Sequence, residues 1–104
     1  MKDLKETTAF MISDDYKERF KAEYWQTKIR YEKLKAFNTK IEAFIRGEKV
    51  EEPKHDCSYE LLRKQQYAME EYLHILELRA VVEGVDLVHH KVPFACTGVC
   101  AQEL

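Results

Sequence analysis

The chain has 104 residues, enough for one domain. Its 17 Lys and Arg residues against 19 Asp and Glu residues leave a formal net charge of −2. This charge argues against a dedicated nucleic-acid binder and is too small for a DNA mimic. A hydrophobic share of 45% excludes a disordered chain, and no apolar run approaches the roughly 20 residues of a membrane span. We therefore expect neither a membrane partner nor sequence-specific nucleic-acid binding.

The cysteine count and the first residues indicate the compartment. Three cysteines, an odd number, do not read as a disulfide framework. The first residues lack the hydrophobic segment of a signal peptide. Both observations favour a cytoplasmic protein.

Residues 1–12 contain no sustained apolar period and no recognisable helix cap, so we predict a loose N-terminal extension there. The helical domain is predicted to span residues 13–84. Its first helix runs from about residue 14 to residue 46, with Ser13 or Asp15 as N-cap and Gly47 as the stop. Inside it a heptad pattern with 4-3 spacing predicts a packing seam, formed by Phe20, Tyr24, Thr27, Tyr31, Leu34, Asn38, Ile41 and Ile45.

A polar connector over residues 47–56 leads to a second helix, which Asp56 or Ser58 would cap and Gly84 would end. Its apolar residues come mostly in adjacent pairs, which widens the apolar face beyond a two-position seam. Such a face can contact more than one neighbour. The pairs are Leu61/Leu62, Ala68/Met69, Tyr72/Leu73, Ile75/Leu76 and Val81/Val82.

The fold class is therefore all-α: a long antiparallel two-helix hairpin, coiled-coil-like, that oligomerises into a helical bundle. Placing Ile45 opposite Leu61 or Leu62 brings Asn38 near Met69. A lone hairpin would leave a second set of apolar residues on the first helix exposed to solvent. The set comprises Ala22, Trp25, Ile29 and Ala36. We therefore expect a homo-oligomer, a dimer or higher.

Asn38 occupies a seam position of this hairpin. A buried amide there would cost stability while defining register and oligomeric state. The alternative is that Asn38 lies at a solvated edge.

Residues 85–104 carry Pro93 and Gly98 without a helical period, which predicts an irregular C-terminal tail. This tail contains four residues of the type that binds tetrahedral zinc. Their spacing is poor, because adjacent histidines rarely reach one metal, so we expect free thiols and no metal or other cofactor. The four are His89, His90, Cys96 and Cys100.

The first half of the first helix interleaves aromatic and basic side chains. Aromatic rings stack on nucleobases and cations pair with phosphates, and a helix N-terminus favours negative charge. We expect this half to overhang the shorter second helix and to leave its rings uncovered. An anionic ligand is therefore predicted here, on Tyr16, Lys17, Arg19, Lys21, Tyr24, Trp25 and Lys28. The alternative is that the rings are core and the cations an ordinary solvated face.

No phosphate loop, nucleophile elbow or zinc-protease motif occurs in the chain, and we predict no enzymatic activity. Adjacent carboxylates such as Glu70 and Glu71 point to different helix faces and do not form an acid–base pair.

Residues 14–82 resemble a family of small bacteriophage and prophage proteins related to a crAss-like phage protein. The resemblance implies no enzymatic activity and a phage accessory protein acting in the host bacterial cytoplasm. It rests on Tyr16, Arg19, Glu23, Leu34, Gln65, Met69, Tyr72, Ile75, Leu76 and Arg79.

By analogy, the function would be counter-defence. The protein would inhibit a CRISPR or other immune effector, or act as a sponge for an immune signalling nucleotide. Its partner is then a host defence protein or an anionic nucleotide. The alternative is a coiled-coil scaffold or regulatory protein that binds a phage or host protein through the wide face of the second helix.

Overall fold

The structure, a computed structural model, describes residues 3–87, and these are helical without any strand. A 3-10 turn, Leu4–Thr7, leads into the short helix α1, Thr8–Met11. Two long helices follow, α2 (Tyr16–Ile45) and α3 (Tyr59–Glu83). The all-helical prediction is confirmed. The predicted tail, with His89, His90, Cys96 and Cys100, lies outside the described residues except for its first three positions.

Local capping defines where α2 begins and ends. The Asp15 carboxylate accepts a hydrogen bond from the Lys17 amide at 2.9 Å, which satisfies one of the first-turn donors. At the other end Gly47 adopts a φ of +88° and donates to the Phe44 carbonyl at 3.0 Å. The predicted helix is confirmed to within two residues at each end.

Helix α3 is capped in the same manner. The Ser58 hydroxyl accepts from the Leu61 amide at 3.1 Å. Gly84 ends the helix in the left-handed conformation, with φ +73° and ψ +34°, and Val85 donates back to the Ala80 carbonyl at 2.8 Å. Val85 is thereby buried beside Ala80 in the core.

We expect Gly84→Ala to lower the free energy of unfolding by about 1 kcal/mol, because an L-residue is strained in the left-handed region. A Cβ at this position meets no atom within 4 Å, so the loss comes from the backbone alone. Asn tolerates this conformation better, and Gly84→Asn should lose less. Urea unfolding of the two variants measures the difference; an alanine variant as stable as the parent would contradict the argument.

Helices α2 and α3 pack antiparallel along the predicted seam. From α2 the buried seam residues are Phe20, Tyr24, Tyr31, Asn38 and Ile41. From α3 they are Gln66, Leu73, Leu76 and Ala80, which also follow a heptad. Ile41 and Leu76 have no exposed surface. At its last position the predicted seam fails, because Ile45 at the end of α2 is 59% exposed.

Asn38 defines the register, and the predicted pairing with Met69 is wrong. Its side-chain amide donates to the Gln66 side-chain oxygen at 2.9 Å and to the Leu62 carbonyl at 3.2 Å. Asn38 is 1% exposed, so the seam interpretation of this residue is correct. The helices are offset from the predicted alignment by about one turn because the buried amide nitrogen of Asn38 needs acceptors, which a thioether supplies poorly.

The N-terminal residues are not a loose extension, contrary to our expectation. Asp3 and Glu6 form a capping box, in which each side chain accepts from the other residue's backbone amide at 3.1 Å. Thr7 is completely buried, and its hydroxyl accepts from Gln26 of α2 at 3.2 Å. The short helices therefore dock on α2.

This docking changes the argument for self-association. The short helices contact α2, where Ala22 and Ile29, on the side facing away from α3, are buried. The second apolar set of α2 is thus partly covered within one chain. Among residues 3–87, seven of the thirteen large apolar side chains that stay exposed lie on α3. No helix among residues 3–87 has the length and hydropathy needed to cross a bilayer.

Candidate functional site

The predicted ligand residues lie on the first four turns of α2, but they do not share one face. Helical spacing places Lys17, Lys21 and Lys28 in one stripe, which we call the lysine stripe. Arg19 lies on the opposite side and donates to the Ser13 carbonyl at 2.8 Å. Within residues 3–87 neither Lys17 nor Lys21 forms an ion pair, whereas Lys28 pairs with Glu32 at 3.0 Å.

The aromatic residues in the first half of α2 are more buried than the sequence predicts. Tyr24 is 6% exposed, and its hydroxyl donates to the Glu77 carboxylate at 2.8 Å. Burial, followed by this hydrogen bond, raises the pKa of Tyr24. The half-buried Trp25 donates its indole N–H to the Leu87 carbonyl at 2.8 Å and contacts Tyr24 edge-on. The expectation that these rings lie open for stacking is wrong for Tyr24.

The cause is that α3 reaches the start of α2, so no overhang exists. The Tyr16 hydroxyl donates to Glu83 at 2.9 Å and accepts from Arg79 at 2.7 Å. The hydrogen bond to Glu83 raises the pKa of Tyr16. Arg79 also pairs with Glu83 and lies over the Phe20 ring, 4.9 Å from its centroid. Tyr16 therefore serves as a link between the helices.

A second candidate site lies at the opposite end of the hairpin, in a cleft of about 800 Å³. Three residues of α3 at successive four-residue steps dominate it: Tyr59, Arg63 and Tyr67. Because residues at i and i+4 are neighbours on a helix, the guanidinium of Arg63 lies between the two rings. The cleft is lined by Glu42, Ser58, Tyr59, Glu60, Leu61, Arg63, Lys64 and Tyr67.

Both phenols hold Arg63 in place. Its guanidinium carbon lies 5.6 Å from the Tyr59 ring centroid and 4.8 Å from that of Tyr67, within cation–π range. It donates to the Tyr59 hydroxyl at 2.8 Å and to the Tyr67 hydroxyl. The hydrogen bond to Tyr67 raises the pKa of Arg63. An arginine side chain is a cation throughout the physiological pH range in any case.

The surroundings of Arg63 do not neutralise it fully. Glu42 approaches at 3.5 Å but lies closer to Arg46, at 2.8 Å. Lys64 adds a second cation to the lining. The arrangement offers an oriented guanidinium for an anionic group and two phenol rings against which a planar group can pack.

Our sequence reasoning missed this cleft, although Tyr, Arg and Tyr at four-residue spacing were visible in the chain. Aromatic and basic residues are denser in the first half of α2, which is where the sequence predicts the ligand. Residues 3–87 also contain no group of three His, Cys, Asp or Glu side chains placed to hold a metal ion.

Comparison with known proteins gives one family and no individual relative. No curated protein and no solved structure matches the chain. The family model described as Sequestin matches residues 14–82, which include α2, the connector and nearly all of α3. The match covers both candidate sites and excludes the N-terminal short helices. This chain belongs to the Sequestin family.

Proposed function

We propose that this protein is a phage-encoded, non-enzymatic binding protein that sequesters an anionic nucleotide in the host bacterial cytoplasm. The family name, Sequestin, is consistent with a binding and sequestering role. The phage origin rests on the resemblance of residues 14–82 to proteins related to a crAss-like phage protein. As counter-defence, the protein would lower the free concentration of an immune signalling nucleotide without converting it.

The observation that carries this proposal is the Arg63 cleft. Its volume of about 800 Å³ lies within the range of small-molecule sites. A nucleotide presents a phosphate and a flat base, and the cleft offers groups for both. Arg63 would bind the phosphate, and Tyr59 or Tyr67 would pack against the base.

The lysine stripe on α2 is the competing location for the same ligand. Lys17 and Lys21 form no ion pair among residues 3–87, and Trp25 lies beside them with part of its indole exposed. Its weakness is the burial of Tyr24, which removes one of the predicted stacking rings. We favour the cleft because its rings and its cation are already in mutual contact.

Isothermal titration with a panel of mono-, linear di- and cyclic nucleotides tests the proposal. We expect at least one nucleotide to bind, with adenosine alone and inorganic phosphate alone binding much more weakly, because both phosphate and base are recognised. Arg63→Ala should weaken binding by about 30-fold, and Arg63→Lys by nearly as much, since the two-pronged guanidinium is lost. Arg30→Ala, which removes an exposed cation of α2 that lines neither site, is the matched control.

The double charge reversal Lys17→Glu with Lys21→Glu, at the two cations of the lysine stripe that form no ion pair within residues 3–87, separates the two locations. If the ligand binds at the start of α2, this variant loses binding while its melting temperature is nearly unchanged. If the cleft is the site, it binds normally. A panel in which no nucleotide binds the parent protein would contradict the proposal, as would equal phage plating on defended hosts with and without the gene.

The second candidate function is binding of a protein, either a CRISPR or other immune effector that is inhibited or a partner held by a coiled-coil scaffold. It is favoured by the apolar residues that α3 leaves exposed, among them Ile75, Leu78 and Val82. Such a face binds a partner helix as readily as a second copy. Affinity capture from infected cells distinguishes it, because a nucleotide sponge needs no stoichiometric protein partner.

A further inference from the structure

The outer face of α3 carries a second heptad pattern. Opposite the seam, every third or fourth residue from Leu61 to Val82 points to solvent. Four of these residues are large and apolar, with exposed fractions of 56% for Leu61, 47% for Ile75, 54% for Leu78 and 84% for Val82. We call this row the outer stripe: Leu61, Lys64, Ala68, Glu71, Ile75, Leu78 and Val82.

Such a row differs from the scattered apolar residues found on every protein surface. Single exposed leucines need no explanation, whereas an aligned series on one helix marks an interaction face. Within residues 3–87 the short N-terminal helices contact α2 and leave α3 uncovered. The outer stripe therefore has the periodicity of a coiled-coil seam without its partner helix.

The charges in the middle of the stripe identify the occupant. Lys64 and Glu71 lie one heptad apart with the small residue Ala68 between them. Around a two-fold axis at Ala68, an antiparallel copy of the same helix places Lys64 opposite Glu71 twice. Leu61 then lies opposite Ile75, and Ala68 meets itself, which allows an interaxial distance near the lower limit of about 8 Å.

The residues beside the stripe agree with this arrangement. On one flank Glu60 lies opposite His74 of the other copy, and on the other flank Gln65 lies opposite Tyr72. No two like charges meet among these positions. A parallel pairing in register would place Lys64 against Lys64 and Glu71 against Glu71, and an antiparallel pairing centred on Glu71 would bring two carboxylates together.

We infer that α3 of this protein binds α3 of a second copy, antiparallel and centred on Ala68. Leu78 and Val82 then extend past the start of the partner helix, over its connector. Leu61 and Lys64 belong both to this interface and to the lining of the Arg63 cleft. The second copy would thus close one edge of the cleft, although the inference does not depend on nucleotide binding.

Disulfide trapping tests both the interface and its register. In a background with Cys57→Ser, Cys96→Ser and Cys100→Ser, we expect Ala68→Cys to form a covalent dimer under mild oxidation. Ile75→Cys is the matched control, because two copies of position 75 lie about 20 Å apart along the axis in this register. A failure of Ala68→Cys to cross-link, or equal cross-linking by Ile75→Cys, would overturn the inference.

A charge exchange provides an independent test with variants that endanger no buried contact. Lys64→Glu alone and Glu71→Lys alone should each raise the dimer dissociation constant by about tenfold, since each places like charges together. The double exchange should restore the parent value, because the two pairs form again with reversed sign. Light scattering and sedimentation report the constants, and circular dichroism verifies the fold. A monomeric parent at micromolar concentration, or a double variant as weak as the singles, would refute the interface.

Discussion

Replacing Leu76 by Asp should leave the protein without a cooperative unfolding transition. Leu76 has no exposed surface and lies in the cluster formed with Phe20, Tyr24, Tyr31 and Leu73. An ionised carboxylate there loses its hydration without gaining a partner, at a cost of several kcal/mol. The packing of the leucine side chain is lost as well, at a further cost of about 2–5 kcal/mol. Together these losses approach the whole stability of a small domain, about 5–15 kcal/mol.

Val81→Asp is the matched control, with a similar change of chemistry on the same helix at a side chain that is 81% exposed. Circular dichroism during heating should show a sigmoidal transition for this variant and a gradual decline for Leu76→Asp. Ile41→Asp, on the facing helix, should behave like Leu76→Asp because Ile41 is equally buried. Cooperative unfolding of either core variant near the parent temperature would mean that the seam is not the core.

Asn38→Asp should destabilise the protein by about 3 kcal/mol at pH 7, although it changes a single group of nearly equal size. The amide nitrogen of Asn38 donates to Gln66 and to the Leu62 carbonyl. A carboxylate oxygen in its place would face two acceptors. Gln66 can rotate its amide to become a donor, but the Leu62 carbonyl cannot, so repulsion persists.

The destabilisation caused by Asn38→Asp should become smaller as the pH is lowered. Burial beside acceptors raises the pKa of the introduced carboxyl in the folded protein above its usual value near 4. The destabilisation is therefore present above that raised pKa and is relieved as the pH falls through it, because the protonated acid can again donate. Urea unfolding at pH 7 and about pH 5 measures this, with the exposed Gln65→Glu as control. A loss at position 38 that does not shrink toward the lower pH would contradict the buried arrangement.

The helix ends were predictable because their signals are local. Ser58 and Gly84 each act through hydrogen bonds within their own turn of α3, so a short window of sequence contains the whole interaction. The seam was predictable for a similar reason, since heptad spacing alone determines which side chains share a face. Ile45 departs from it because the last turn of α2 extends beyond the buried part of the interface.

The register and the N-terminal docking depend on contacts between distant residues. Asn38 selects Gln66 over Met69 through a hydrogen bond that spans 28 residues of chain. Thr7 meets Gln26 across 19 residues. Patterns of apolar spacing hold no information on such pairings, and the Asp3–Glu6 capping box was overlooked because no apolar period followed it.

The candidate site was predicted only in its composition. The mixture of rings and cations on α2 does occur, but its rings serve other purposes: Tyr24 and Tyr16 hydrogen-bond to Glu77 and Glu83 of α3. Whether a tyrosine is free to stack depends on which carboxylates the opposite helix brings to its hydroxyl. The register that decides this could not be predicted from α2 alone.

The contact between Trp25 and the segment after α3 makes the intrinsic fluorescence of the protein sensitive to the position of that segment. Trp25 is the single tryptophan of the chain, and its indole N–H is bonded to the Leu87 carbonyl, just past the glycine that ends α3. Release of that segment would replace the carbonyl by water and shift the emission of the indole toward longer wavelength. Intrinsic fluorescence therefore follows the docking of one short stretch of backbone, without a label and separately from the helical signal of the hairpin.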